Sequence, residues 1–112
     1  MILDSEQNAQ SLKIPKEIYL RILGKAVAQT QADIKDMEAA LPVGDFEKIQ
    51  SISHRLKGDY DNMRITTLSA IVKKLNEEVK AGRDKEKMSG LLAQFKNDFA
   101  QLETELANLG EP

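Results

Sequence analysis

The sequence has 112 residues, of which 30% are charged and 41% apolar, proportions that suit one globular domain with room for a core. Its 16 basic and 18 acidic side chains leave a net charge of −2, without the basic excess that nucleic acid or an anionic membrane surface rewards. Cysteine is absent and there is one histidine, which excludes disulfides, thiolate zinc sites, cysteine nucleophiles and multi-histidine metal sites.

The first eight residues, Met1 to Asn8, lack a basic stretch followed by an apolar run, so no secretory leader is expected. No segment reaches the roughly 18–20 apolar residues of a membrane span, and the expected setting is cytoplasmic. Residues 1–13 are polar and small, and are expected as a flexible lead-in to a domain over 14–109. Pro15 suits the first turn of a helix, and Ile18, Ile22 and Leu23 follow at helical spacing. Gly24 is expected to part that short helix from a longer one over about 25–40, which carries Val27, Ile34 and Met37 and runs up to Leu41.

Pro42-Val43-Gly44 breaks the pattern, and Asp45 is placed to cap the next helix. That helix carries Phe46, Ile49, Ile52, Leu56, Tyr60 and Met63 at intervals of three and four, one apolar stripe. A second stripe runs through Ile65, Leu68, Ile71, Val72, Leu75 and Val79, and Gly82 stands where a C′ glycine ends a helix. Asp84 caps the last helix, whose stripe is Met88, Leu91, Leu92, Phe95, Phe99, Leu102, Leu106 and Leu109. No segment alternates as a half-buried strand does. The fold expected is all-α: an antiparallel up-down four-helix bundle with a short N-terminal helix covering one end. Four successive amphipathic segments favour this over a coiled-coil dimer built from the last helix.

The single histidine falls outside the apolar stripe. Stepping about 100° per residue from Ile49, the residues Ile52, Leu56, Tyr60 and Met63 lie within roughly 60°, whereas His54 lands near 140°. Glu47, Gln50, Lys57, Gly58 and Asp61 share its side of the helix. A lone exposed histidine usually has no special task, but these neighbours are unusual. Gly58 sits mid-helix, at a cost of about 1 kcal/mol relative to alanine, and clears the surface beside the imidazole. Lys57, three residues on, reaches the same spot and could pair with a phosphoryl group on His54. A neutral exposed imidazole has a nitrogen free to attack phosphorus.

The run His54-Arg55-Leu56-Lys57-Gly58 resembles the H-x-L-K-G signature of histidine-containing phosphotransfer (HPt) domains. Ala39-Ala40-Leu41 and Gly44-Asp45 before it, and Asn62, Met63 and Leu68 after it, extend the resemblance over about residues 14–106. The resemblance implies a monomeric bundle without an ATP site of its own, acting as a phosphorelay intermediate rather than an enzyme in its own right. On that pattern His54 is the phosphoacceptor, Lys57 the positive neighbour, Gly58 the access position and Gln50 a polar residue near the imidazole. Glu47, Ser51, Arg55 and Asp61 then form the expected partner surface. The implied partners are a response-regulator receiver domain and a hybrid histidine kinase, with neither nucleic acid nor membrane. No cofactor or metal is expected on this chain, and Mg²⁺ is expected on the receiver.

The chain departs from the family pattern after Gly58. Small residues, then asparagine, a hydrophobic residue and glycine are usual there, and this sequence has Asp59-Tyr60-Asp61-Asn62-Met63-Arg64. Asp61 lies two turns along the His54 face and places a negative charge near any phosphoryl group, weakened by screening. A second reading is therefore a phosphorylation-silent helical docking module that binds a receiver or a histidine kinase. A third, the dimerisation and phosphoacceptor segment of a histidine kinase, fits poorly because Arg55-Leu56-Lys57 does not match such hairpins. The remaining charges, such as Lys73 with Glu77, read as a solvated helix face, and no glycine-rich phosphate loop is present.

Overall fold

The computed structural model describes residues 1–110. Among them the regular structure is entirely helical: α1 (Ser5–Leu12), α2 (Lys16–Ala40), α3 (Phe46–Asn62), α4 (Thr66–Lys80) and α5 (Lys85–Gly110). Helices α2 to α5 touch in a ring, α2 on α3, α3 on α4, α4 on α5 and α5 on α2, with α1 packed on α2. None of the five is long and apolar enough to cross a membrane.

The acidic caps foreseen in the sequence are made. Asp45 accepts a hydrogen bond from the Lys48 amide, and Asp84 accepts from the amides of Glu86 and Lys87. The apolar stripes meet at the centre, where Leu23, Met37, Ile49, Leu56, Leu68, Leu75, Met88 and Leu102 are buried. Each such side chain stabilises the fold by roughly 1.5–3 kcal/mol. Tyr60 packs edge-on against Phe95 at 6.5 Å between ring centroids, and its hydroxyl lies 2.7 Å from the Thr30 hydroxyl. Burial pushes the Tyr60 hydroxyl pKa up, opposed by that hydrogen bond.

Several expectations are corrected. Gly24 does not divide two helices, because α2 runs unbroken from Lys16 to Ala40. A lone glycine costs only about 1 kcal/mol in a helix interior, and the burial of Leu23 and Val27 on either side outweighs it. The register of that segment also differs. Ile18 and Ile22 are 38% and 47% exposed, while Tyr19 and Leu23 face the core. Leu109 is exposed as well, so the last stripe ends before it. Gly82 follows the C-cap residue Ala81 of α4, but the left-handed residue is Arg83, with φ of 53°. Gly82 instead makes room for the Glu78 side chain, which lies where a Cβ would stand.

Residues 1–13 are not without an element. Asp4 caps α1 by accepting from the Gln7 amide, and Lys13 ends it in the left-handed conformation, with φ of 58°. The helix is tied down by a polar chain: Asn8 donates to the Tyr19 hydroxyl at 3.0 Å, and that hydroxyl donates to the Met63 carbonyl at 2.6 Å. Arg64 adds a second tie by donating to the Ser11 hydroxyl and to the carbonyls of Asp61 and Asn62. Its φ is 65°, the left-handed conformation that glycine adopts without strain. The amides of Ile2 and Leu3 donate to the Glu105 carboxylate on α5 at 3.0 Å.

Partial burial works to raise the Glu105 carboxyl, but the hydrogen bonds from Ile2, Leu3 and Gln101 outweigh it and hold its pKa below the ordinary value. A carboxyl lowered by folding adds stability above its unfolded value and loses it as pH falls through the folded one. The docking of residues 2–3 is therefore expected to loosen on acidification to below the ordinary glutamate range. Amide hydrogen-exchange protection at Ile2 and Leu3 should fall there in the wild type and be already reduced, and less acid-sensitive, in Glu105→Gln. Protection unaltered by the substitution would rule out this tether.

Candidate functional site

The outward face of α3 is set by what its inward face buries. Ile49, Leu56 and Tyr60 are sequestered at 1% exposure or less, and His54 consequently stands in solvent. A second set of contacts fixes α3 against α4 one turn before the histidine. Asn76 of α4 donates to the Ser53 hydroxyl at 3.0 Å and to the Gln50 carbonyl at 3.2 Å. Ser53 is wholly buried and Asn76 nearly so, which makes these bonds costly to lose. The sequence reading passed over both residues. The available signal was polarity inside an apolar stripe: Ser53 follows Ile49 by four positions, and Asn76 follows Val72 by four.

The predicted residues separate into three groups. Glu47, Gln50, Ser51 and His54 line one open concavity on α3. Lys57, Gly58 and Asp61 continue the same face toward the C-terminal end of the helix, where the Lys57 ammonium lies 3.7 Å from the Asp61 carboxylate. A Cβ built on Gly58 meets nothing within 4 Å, so the surface beside the imidazole is open.

Arg55 forms the third group and points elsewhere. Its guanidinium donates to the Asp33 carboxylate on α2 at 2.7 Å and lies 3.5 Å from Asp59. Asp33 is only 2% exposed, and its second carboxylate oxygen has no hydrogen-bond partner. Arg55 thus serves as the counterion of a buried acid, and its head group is engaged by the fold in addition to any contact with a partner. Helical spacing placed Arg55 near His54 but carried no information about Asp33, which lies 22 residues earlier on a different helix.

Chemically, the face offers one exposed imidazole, an unobstructed approach over Gly58 and an ammonium one turn away. That set suits attack on an electrophile delivered by another molecule, because the site has no enclosing walls of its own. A family model described as "Hpt domain" matches residues 21–111. No curated protein and no solved structure matches the chain.

Two outcomes are expected from stability measurements by chemical denaturation. Gly58→Ala should stabilise the protein by up to about 1 kcal/mol, since the added methyl meets open space and helix propensity improves. Arg55→Ala should cost about 1–3 kcal/mol by leaving buried Asp33 without its counterion and with only the Gln29 side-chain hydrogen bond, whereas Lys57→Ala should cost less than about 1 kcal/mol because its ion pair is exposed. Equal effects of the two alanine substitutions would contradict the assignment of Arg55 as a structural counterion.

Proposed function

Because the chain belongs to the Hpt domain family, whose role is histidine phosphotransfer in two-component signalling, we propose that His54 accepts a phosphoryl group from the aspartate of one receiver domain and passes it to another. The observation that carries the reading is an exposed imidazole beside a mid-helix glycine with open space over it. In the forward step a ring nitrogen of His54 attacks phosphorus. The bond from phosphorus to the aspartyl oxygen breaks, and the carboxylate leaves with its electron pair. The imidazole then releases its ring proton to solvent, and the reverse sequence delivers the group to a second receiver.

Lys57 neutralises part of the phosphoryl charge, Gly58 leaves room for the receiver's phosphorylated loop, and Gln50 borders the imidazole. Glu47, Ser51 and Asp61 flank the contact. The chain contributes no ATP chemistry, and Mg²⁺ belongs to the receiver. A hybrid histidine kinase is the upstream source of phosphate, and the protein acts as a cytoplasmic monomer. The same reading takes α2 to α5 as an antiparallel up-down bundle, while the short helix expected after Pro15 to cover one end is instead the first part of α2. It is supported by cross-links from α2 to α3 and its C-cap that run in opposite chain order: Tyr19 with Met63, Thr30 with Tyr60 and Asp33 with Arg55.

The test is transfer from a phosphorylated receiver domain to this protein. Acid-labile, base-stable phosphate should accumulate on the wild type and be absent from His54→Gln. Gly58→Gln should keep the wild-type helical content and slow transfer, because the added bulk meets the incoming receiver and not the fold. Receiver binding that survives His54→Ala, with no phosphate on the wild type, would mark the protein as a docking module instead.

A further inference from the structure

We propose that Asp61 controls how firmly His54 holds a phosphoryl group, by competing with that group for the Lys57 ammonium. The inference rests on the phosphotransfer reading of His54 and adds a residue that sets the balance of the reaction.

Three observations converge on it. His54, Lys57 and Asp61 share one face of α3, at positions i, i+3 and i+7. The Lys57 ammonium is already engaged, 3.7 Å from the Asp61 carboxylate, while the other cation next to the histidine, Arg55, is held by buried Asp33. Asp61 is itself half exposed and has no other ion-pair partner among the described residues, so its charge is directed to Lys57.

A phosphoryl group on His54 carries close to two negative charges and would draw Lys57 toward it. Lys57 lies one turn from each carboxylate-bearing or phosphoryl-bearing position and cannot fully satisfy both. Forming the phosphohistidine therefore requires Lys57 to leave Asp61 in part. The lost ion pair sets the cost, and it is the modest cost of an exposed pair. Asp61 acts through Lys57 and is a positioning residue. Its effect is to raise the transfer potential of the phosphohistidine, which favours passing the group onward over storing it.

The experiment is phosphoryl exchange with N-phosphoimidazole, read by ³¹P NMR at equilibrium. In this exchange the phosphorus–nitrogen bond of the donor breaks and one to His54 forms. The His54 ring proton passes to the departing imidazole, so the chemistry is the same on both sides and the equilibrium constant reports the protein environment. Asp61→Asn should shift the constant toward phosphohistidine by about two- to fivefold, the range of an exposed ion pair. Asp61→Glu should stay near the wild type. In a Lys57→Gln background the Asp61→Asn shift should vanish, and raising the salt concentration should shrink it in the Lys57 background.

An Asp61→Asn shift that persists undiminished without Lys57 overturns the inference, because direct repulsion would then account for it. An unshifted constant overturns it as well. In both cases wild-type phosphorylation at His54 leaves the proposed function standing. A wild type that gains no phosphohistidine from either N-phosphoimidazole or a phosphorylated receiver overturns the proposed function and this inference together.

Discussion

The burial of Ile49, Leu56 and Tyr60 along one side of α3 sets the orientation on which the rest of the molecule depends. A helix that buries one stripe has no freedom over where its opposite stripe points. Apolar packing alone, however, leaves a helix able to slide or rotate by small amounts at little cost. In this protein the residual freedom is removed by polar bonds on both flanks. Asn76 grips the Ser53 hydroxyl and the Gln50 carbonyl from α4, while Thr30 meets Tyr60 and Asp33 meets Arg55 from α2. These bonds bracket His54 on both sides along the chain. The histidine is exposed, yet the backbone that carries it is held from two directions.

The electrostatics of the outer face follow from the same geometry. Arg55 and Lys57 both lie near His54 in sequence, and each is engaged by a carboxylate of the chain itself. The two commitments differ in kind. Asp33 is buried and retains an oxygen without a hydrogen-bond partner, so releasing Arg55 would leave a charge in a poorly solvated place. Asp61 is half exposed, and water can take over when Lys57 departs. Of these two cations, Lys57 is the one that can leave its carboxylate at little cost, although the overall composition treats them alike.

Much of this was legible in the sequence. The apolar periods of α3, α4 and α5 were readable, since each has a long stripe and α3 and α5 also have an acidic N-cap, and so was the outward placement of His54. The reading failed where the decisive contacts were distant in sequence. Residues 1–13 carry a cap at Asp4 but no apolar stripe to back it; α1 is held through Asn8 to Tyr19, through Ser11 to Arg64 and by the preceding Ile2 and Leu3 to Glu105. The start of α2 was misread because Ile18 and Ile22 are more hydrophobic than Tyr19 by type, whereas the buried Tyr19 hydroxyl has partners that make it the better core residue. Arg64 shows a related limit: the position keeps the left-handed backbone of a glycine, and the arginine offsets its strain with hydrogen bonds invisible to local pattern.

The tie between residues 2–3 and Glu105 has a topological corollary. It brings the two ends of the described chain to one place, where Met1, Asn108 and Leu109 line the same cleft. Residues 1 and 109 so close together suit circular permutation, because a linker between them can run without crossing the bundle. New termini could then open between α4 and α5, in the exposed residues around Arg83 and Asp84, leaving the whole of α3 uninterrupted. The order in which the helices are synthesised is thus separable from the arrangement that holds His54 at the surface.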